Sequence, residues 1–164
     1  MRVAVFSDTH GKLAGLARVK ERLGALDLLL HAGDHFNDAA KVAEGLGLAP
    51  EKVHAVVGNC DMGQRGPEEC VLDVEGVRIL LVHGHRFDVK STLQRVFYKA
   101  EEIGAHVVIF GHSHVPVSLW ERGVLLFNPG SYSEPRVQGP ATCGLLIVEA
   151  GSVQAEHVPV SAGF

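Results

Sequence analysis

The sequence predicts an α/β protein, a β-sandwich of two mixed sheets flanked by helices, in a single domain spanning residues 1–164. Three observations predict it. Short, continuously apolar segments alternate with amphipathic helical segments over the first two-thirds of the chain, the pattern of sheets covered on both faces. Polar, glycine-containing segments follow the apolar runs, where open α/β sheets place their sites. The last third reads as a β-meander punctuated by tight turns.

Val3-Ala4-Val5-Phe6 is a buried-strand run. From Leu13 to Leu23, apolar residues at 13, 16, 17, 19 and 23 alternate with Arg18, Lys20, Glu21 and Arg22 at helical spacing, and Gly24 closes that helix. Leu28-Leu29-Leu30 is the next strand. Residues Asn37 to Leu46 form a second amphipathic helix that Asn37 or Asp38 can cap and that Gly47 and Pro50 stop. Val53 to Val57 is a third strand. Glu69 to Val74 and Val77 to Val82 form a hairpin about Glu75-Gly76. A third helix runs from about Ser91 to Ile103, with Leu93, Val96, Phe97, Ala100 and Ile103 on one face, and His106 to Phe110 is a strand. The meander comprises Val117 to Glu121, Val124 to Phe127, Thr142 to Glu149 and Val153 to Pro159, with turns at Arg122-Gly123 and Gly151-Ser152. Trp120 is expected in the core or at an interface.

Composition narrows the function classes. Apolar residues make up 46% and charged residues 21% of the 164, as in an ordered globular protein. A chain of this length buries roughly 70% of the surface it exposes when unfolded. The net charge of −4 leaves no basic stripe for long nucleic acids. The apolar runs fall far short of the ~18–20 residues needed to span a bilayer, so no membrane partner is expected. Cys60, Cys70 and Cys143 are odd in number and scattered, which suggests reduced thiols and a cytoplasmic location. A cleaved leader would remove Asp8 and His10, so no secretory signal is expected. Exposed late strands are compatible with a homo-oligomer.

Five polar segments carry the chemistry: Asp8-Thr9-His10, Gly33-Asp34, Gly58-Asn59-Cys60-Asp61, His83-Gly84-His85 and Gly111-His112-Ser113-His114. They hold five of the ten histidines. Carboxylate, imidazole and amide donors together suit Mn, Fe, Zn, Co or Ni better than Ca or Mg. Taken singly, each segment has a plainer reading. Asp8 serves equally as a cap for the following helix, Asp34 as the N-cap of the next, and Gly58-Asn59 as a turn. The two His-x-His pairs carry more weight, because buried unpaired imidazoles at two strand ends are costly. A single carboxylate such as Asp34 can bridge two ions.

In this order, Asp8-x-His10, Gly33-Asp34, Gly58-Asn59-x-Asp61, His83 and Gly111-His112-x-His114 resemble the calcineurin-like metallophosphoesterase superfamily. Asn59-Cys60-Asp61, Asn128-Pro129-Gly130-Ser131 and the short chain are similar to its small bacterial and archaeal phosphodiesterase branch. The motifs span Asp8 to Ser131, about three-quarters of the 164 residues. The resemblance implies a β-sandwich flanked by helices. It also implies two divalent metal ions, manganese foremost, with nickel, iron, cobalt or zinc as alternatives. Asp8, His10 and His114 would hold one ion, Asn59, His83 and His112 the second, and Asp34 would bridge them. The implied activity is phosphodiester or phosphomonoester hydrolysis on small phosphate esters, by in-line attack of a hydroxide shared between ions about 3.5–4 Å apart. His85 is then second-shell or substrate-facing. Asp61 orients a ligand histidine or stabilises its turn. Arg136, after Pro135, either grips a substrate phosphate or forms a surface ion pair.

Many relatives carry histidine, a general acid, where this chain has Cys60. An ordinary thiol is a poorer proton donor. Cys60 is therefore expected to be buried and inert, with good leaving groups preferred or with His85 or His35 supplying the proton. His31 is expected beside Asp34, and His54, His106 and His157 in packing or surface roles. The competing function is a non-catalytic binding or scaffold protein that retains the fold and the metal sites. A structural zinc site fits less well, because such sites favour closed, thiolate-rich sets.

Overall fold

The computed structural model describes residues 1–160. Among them, ten strands and three helices follow in chain order: β1 (Arg2–Phe6), α1 (Leu16–Leu23), β2 (Leu28–His31), α2 (Asp38–Leu46), β3 (Val53–Ala55), β4 (Glu69–Val74), β5 (Val77–Val82), α3 (Gln94–Ile103), β6 (Val107–Ile109), β7 (Val117–Glu121), β8 (Val124–Asn128), β9 (Thr142–Glu149) and β10 (Ser152–Pro159). Single 3₁₀ turns occupy Pro50–Lys52 and His85–Phe87.

The strands form two five-stranded sheets, ordered β10-β9-β1-β2-β3 and β4-β5-β6-β8-β7. In the first sheet β1, β2 and β3 are parallel, and β9 and β10 return antiparallel. In the second, β5, β6 and β8 are parallel, and β4 and β7 are antiparallel edges. This is the mixed sandwich that the sequence predicts.

Alternation along each strand builds the layers. Val3 and Val5 of β1 meet Ile79 and Leu81 of β5 and Val107 and Ile109 of β6 between the sheets. Ala4 and Phe6 point the other way, onto Val19 and Leu23 of α1 and Val42 and Leu46 of α2. Leu80, Val82 and Val108 face outward onto Val96, Phe97 and Ala100 of α3. Both faces of the central strands are covered, which explains their unbroken apolar runs. Leu29 and Leu80 are fully buried, so truncating either to alanine costs about 2–5 kcal/mol.

The two helix starts differ from the periodic reading for local reasons. Residues 10–15 form a loop ending at Gly15 in the left-handed region, so α1 begins at Leu16 rather than Leu13. The 3₁₀ turn and the Asp88–Ser91 turn delay α3 to Gln94. Neither proposed cap of α2 caps it. Asn37 already has helical dihedrals and makes no side-chain cap, while Asp38 aims its carboxylate at Thr9 and Gly11. The last hairpin turns at Ala150-Gly151, not Gly151-Ser152, which puts glycine at the second position of a turn with positive φ throughout. Trp120 is not in the core; it is 55% exposed on the β7 edge. No described helix is long and apolar enough to cross a membrane.

Candidate metal centre

All six parallel strands end at one rim, and their C-terminal loops carry the polar segments. Asp8 and His10 follow β1, Asp34 follows β2, and Asn59 follows β3. His83 follows β5, His112 and His114 follow β6, and Asn128 closes β8. The two sheets are stitched across this rim. His83 Nδ1 lies 2.7 Å from the carbonyl oxygen of Ala32, and the His112 amide donates to Asp8 Oδ2 at 3.1 Å.

Backbone conformation is unusual at the site. Asp8, His10, Asp34, His112 and His114 all have φ between 46° and 64°. Left-handed dihedrals cost L-residues energy and persist only where their surroundings enforce them. Here the Asp8 amide donates to the Gly33 carbonyl at 3.0 Å, the Gly111 amide to the His83 carbonyl at 3.0 Å, and the Cys60 amide to Asp34 Oδ1 at 2.9 Å. The hydroxyls of Ser131 and Ser133 both donate to the Asp8 carbonyl. Close approach also demands glycine. A Cβ on Gly58 would overlap the Asp34 carboxylate, and one on Gly111 would collide with Ser7 and Asp8.

The donor atoms converge in two overlapping sets. One oxygen or nitrogen each from Asp8, His10, Asp34 and His114 lies within 4.8 Å of all the others. His114 Nε2 stands 3.1 Å from Asp8 Oδ1 and 3.4 Å from His10 Nε2. In the second set, His83 Nε2 stands 3.3 Å from Asp34 Oδ1 and 3.1 Å from Asn59 Oδ1. The His112 ring lies 5.1 Å from that of His83, beside this set.

These contacts join electron-rich atoms. His83 Nδ1 and His114 Nδ1 face the carbonyls of Ala32 and Glu134 at 2.7 and 2.6 Å, so each Nδ1 carries the proton and each Nε2 presents a lone pair. Both Nε2 atoms point at carboxylate oxygens, of Asp34 and Asp8. Among the described residues, the buried Asp8 Oδ1 has no hydrogen-bond partner. A cation satisfies this arrangement, and the hard carboxylate, imidazole and amide donors fit a divalent transition metal.

The same contacts shift the ionisable groups. Burial tends to raise the Asp8 pKa, but the imidazoles of His114 and His83 and the Ser7 hydroxyl outweigh it and hold the group below the ordinary carboxylate value. The Asp8 contact raises His114 against the opposing effect of burial. Burial, with His83 and Lys90 adding to it, pushes His112 down to about 4, so its ring is neutral and available as a donor at physiological pH.

The other expected residues fall outside these sets. His85 opens the 3₁₀ turn, its ring 5.4 Å from that of His83, and its Nδ1 is buried without a partner. Burial and the neighbouring His83 and Arg86 lower its pKa. Asp61 orients no histidine: its oxygens accept from the amides of Gly58 and Phe36, both at 2.8 Å, tying the Asn59 loop to the Asp34 loop. Arg136 is exposed, its amide bonded to the His114 carbonyl at 3.3 Å, and its guanidinium has no ion-pair partner among the described residues. Cys60 is exposed rather than buried. Partial burial and the nearby Asp34 carboxylate push its thiol up to about 11. His31 is fully buried, accepting from the Gly33 amide and meeting Thr9 Oγ1 at 3.3 Å.

Several supporting residues have no role in the sequence reading. Ser7 donates to Asp8 Oδ2 at 2.6 Å. Asn128 donates to the Gly111 carbonyl and Ser113 Oγ, and His157 Nε2 donates to the Asn128 carbonyl at 2.7 Å. The Asn-Pro-Gly-Ser segment is the signal that points to Asn128 and Ser131; nothing local marks His157, which lies on β10. A cavity of about 680 Å³ between α2 and β3 is lined by none of the seven donors, so volume alone does not locate the centre.

Comparison with known proteins agrees with this geometry. The chain is 39% identical over 150 residues to the probable metallophosphoesterase YsnB of Bacillus subtilis, covering 91% of this chain and 85% of that one. It is 34% identical over 178 residues to the phosphodiesterase YfcE of Escherichia coli K12, covering 94% and 92% of the two chains. A solved structure from Streptococcus pneumoniae, of a predicted phosphoesterase, superposes with a TM-score of 0.77 at 28% identity, covering 97% of this chain and 89% of that one. Residues 1–151 match the model of the calcineurin-like phosphoesterase superfamily domain, and the chain belongs to that superfamily.

Proposed function

We propose that the protein is a dinuclear-metal-dependent phosphodiesterase acting on small phosphate esters in the cytoplasm. The observation that carries this reading is the pair of imidazole Nε2 atoms, on His83 and His114, that stand 3.3 and 3.1 Å from carboxylate oxygens of Asp34 and Asp8. Asp8, His10 and His114 would hold one ion, Asn59, His83 and His112 the other, with Asp34 shared. Manganese suits this donor set, with iron, cobalt, nickel and zinc as alternatives. Bound ions supply Lewis-acid charge and an activated water for in-line displacement at phosphorus.

The remaining work falls to the chain's own groups. The Ala32 and Glu134 carbonyls keep the His83 and His114 tautomers with Nε2 free. Arg136, exposed and bonded through its amide to the His114 carbonyl, would meet a phosphoryl oxygen, and His85, which borders the His83 and His112 rings, would face the substrate. Cys60, with its raised pKa, is a weak proton donor, so esters with good leaving groups, such as aryl esters, are the favoured substrates.

The test is to strip the protein with chelator, then titrate in Mn, Ni, Co, Zn or Mg. Bound metal is counted and hydrolysis of aryl phosphodiesters and monoesters is followed. Two ions per chain and metal-dependent diester hydrolysis are expected. Metal binding without turnover of any of these esters would favour the binding-protein alternative.

A further inference from the structure

Four strands are sheet edges, and three of them are guarded. β3 is only three residues long, and the Val57 amide beyond it is taken by the Pro67 carbonyl. β4 exposes Val71 between the charged Glu69 and Asp73, and β10 exposes Ser152, Gln154 and Glu156. Short length and outward charge are the usual protections against edge pairing. β7 has neither. It is five residues long, and its consecutive Leu119 and Trp120 are 45% and 55% exposed on opposite faces, Leu119 on the side of Tyr98 of α3, which is 56% exposed.

The hairpin geometry determines what this edge offers. Arg122 and Gly123 form a two-residue turn with φ of 47° and 82°, closed by the Glu121–Val124 pair. In such a hairpin the closing pair is hydrogen-bonded and the pattern alternates along the strands. Val117, Leu119 and Glu121 therefore bond to β8, while the amides and carbonyls of Ser118 and Trp120 face outward. Among the described residues, β8 is the only strand partner of β7.

We infer that two copies of the chain associate through antiparallel β7–β7 pairing about a twofold axis at Leu119, joining the two second sheets into one ten-stranded sheet. Of the registers that match outward-facing amides, only this one overlaps all five residues. Shifting the axis to Ser118 or Trp120 leaves three. Centred on Leu119, Ser118 of one copy lies opposite the partner's Trp120, small against large on one face. Leu119 lies opposite the partner's Leu119 on the other, beside the recess lined by Phe97, Tyr98 and Leu126. The strand's single charge, Glu121, lies opposite the partner's Val117 rather than a second carboxylate, so no like charges meet. A C2 contact of this kind is closed and does not propagate.

Trp120 is the only tryptophan, so its emission reports on this interface alone. Light scattering on the intact protein should give a mass about twice 17.6 kDa. Dilution should red-shift the tryptophan emission as the dimer dissociates, and Trp120→Lys should be monomeric with unchanged far-UV circular dichroism. Register is read by oxidative cross-linking in a Cys60→Ser background. At the non-hydrogen-bonded Leu119 pair the Cα atoms stand about 4.5 Å apart, within disulfide range, so Leu119→Cys should form a covalent dimer. Glu121→Cys should not, since its two copies lie about 13 Å apart along the strands. A monomeric parent, a Trp120→Lys variant that stays dimeric, or cross-linking at position 121 but not at 119 would each overturn the inference.

Discussion

Asp61 discriminates between a residue that builds the loops and one that tunes a ligand. Its two carboxylate oxygens accept from the Gly58 and Phe36 amides, both at 2.8 Å, and the residue is 9% exposed. Hydrogen bonds to charged groups contribute about 1.5–3 kcal/mol each, and an acceptor at the edge of water belongs at the low end, so Asp61→Ala should cost about 3 kcal/mol. For a chain of this size that corresponds to a fall in Tm of about 6–12 °C. Crucially, the loss should appear in the metal-free protein, because both bonds exist without an ion. Metal affinity should fall as well, since Gly58 and Phe36 flank the loops that carry Asn59 and Asp34. Thermal melts of chelator-treated wild-type and Asp61→Ala protein, followed by metal titration of each, make the comparison. An unchanged metal-free Tm with weakened metal binding would refute the loop-building role and restore Asp61 as an orienting group for a histidine.

Three further outcomes are expected. Asp34→Ala should lose both ions together and reduce metal-dependent turnover by more than the ~10–100-fold typical of outer-shell changes; retention of one ion at full affinity, read by metal analysis, would contradict the shared position. His31 is fully buried, and burial depresses its pKa from 6.5 to about 4. The folded state resists its protonation, so the associated stability is present above about pH 6.5 and is lost as pH falls toward 4, by about 3 kcal/mol in total; urea melts across this range should be markedly flatter for His31→Asn. Finally, Cys60→Ala should leave hydrolysis of aryl esters within a few-fold of wild type, and a hundredfold loss would make the thiol a participant.

The legible parts of the molecule are those whose signal is local. Val3 to Phe6, Leu28 to Leu30 and Val77 to Val82 announce themselves as buried strands because both faces are apolar. The donors Asp8, Asp34, Asn59 and His83 follow strands closely enough that position and chemistry coincide. What stayed hidden depends on partners distant in sequence. Asp61 reads equally as a group that orients a ligand histidine or one that stabilises its turn until Phe36, 25 residues earlier, appears at its oxygen. Asp38 has the composition of a cap, but Thr9 and Gly11, almost thirty residues away, claim its carboxylate. Trp120 has the hydropathy of a core residue, yet its strand lies at an edge, and edge position is a property of sheet order rather than of any local pattern. The β9 strand likewise gives no sign that it inserts between β1 and β10.

The stitching of the centre across the rim orders events in time. Each donor set draws on both sheets, and His114 is aimed by the carbonyl of Glu134. β1, which delivers Asp8, gains its second flanking strand only when β9 pairs with it, through residues 144–147. During synthesis from the N-terminus, Asp8, His10 and Asp34 emerge early but have no partners to converge on. An ion bound there would therefore have no complete cradle until nearly the whole chain has left the ribosome, so metal acquisition would be an event of the finished protein rather than a seed for its folding.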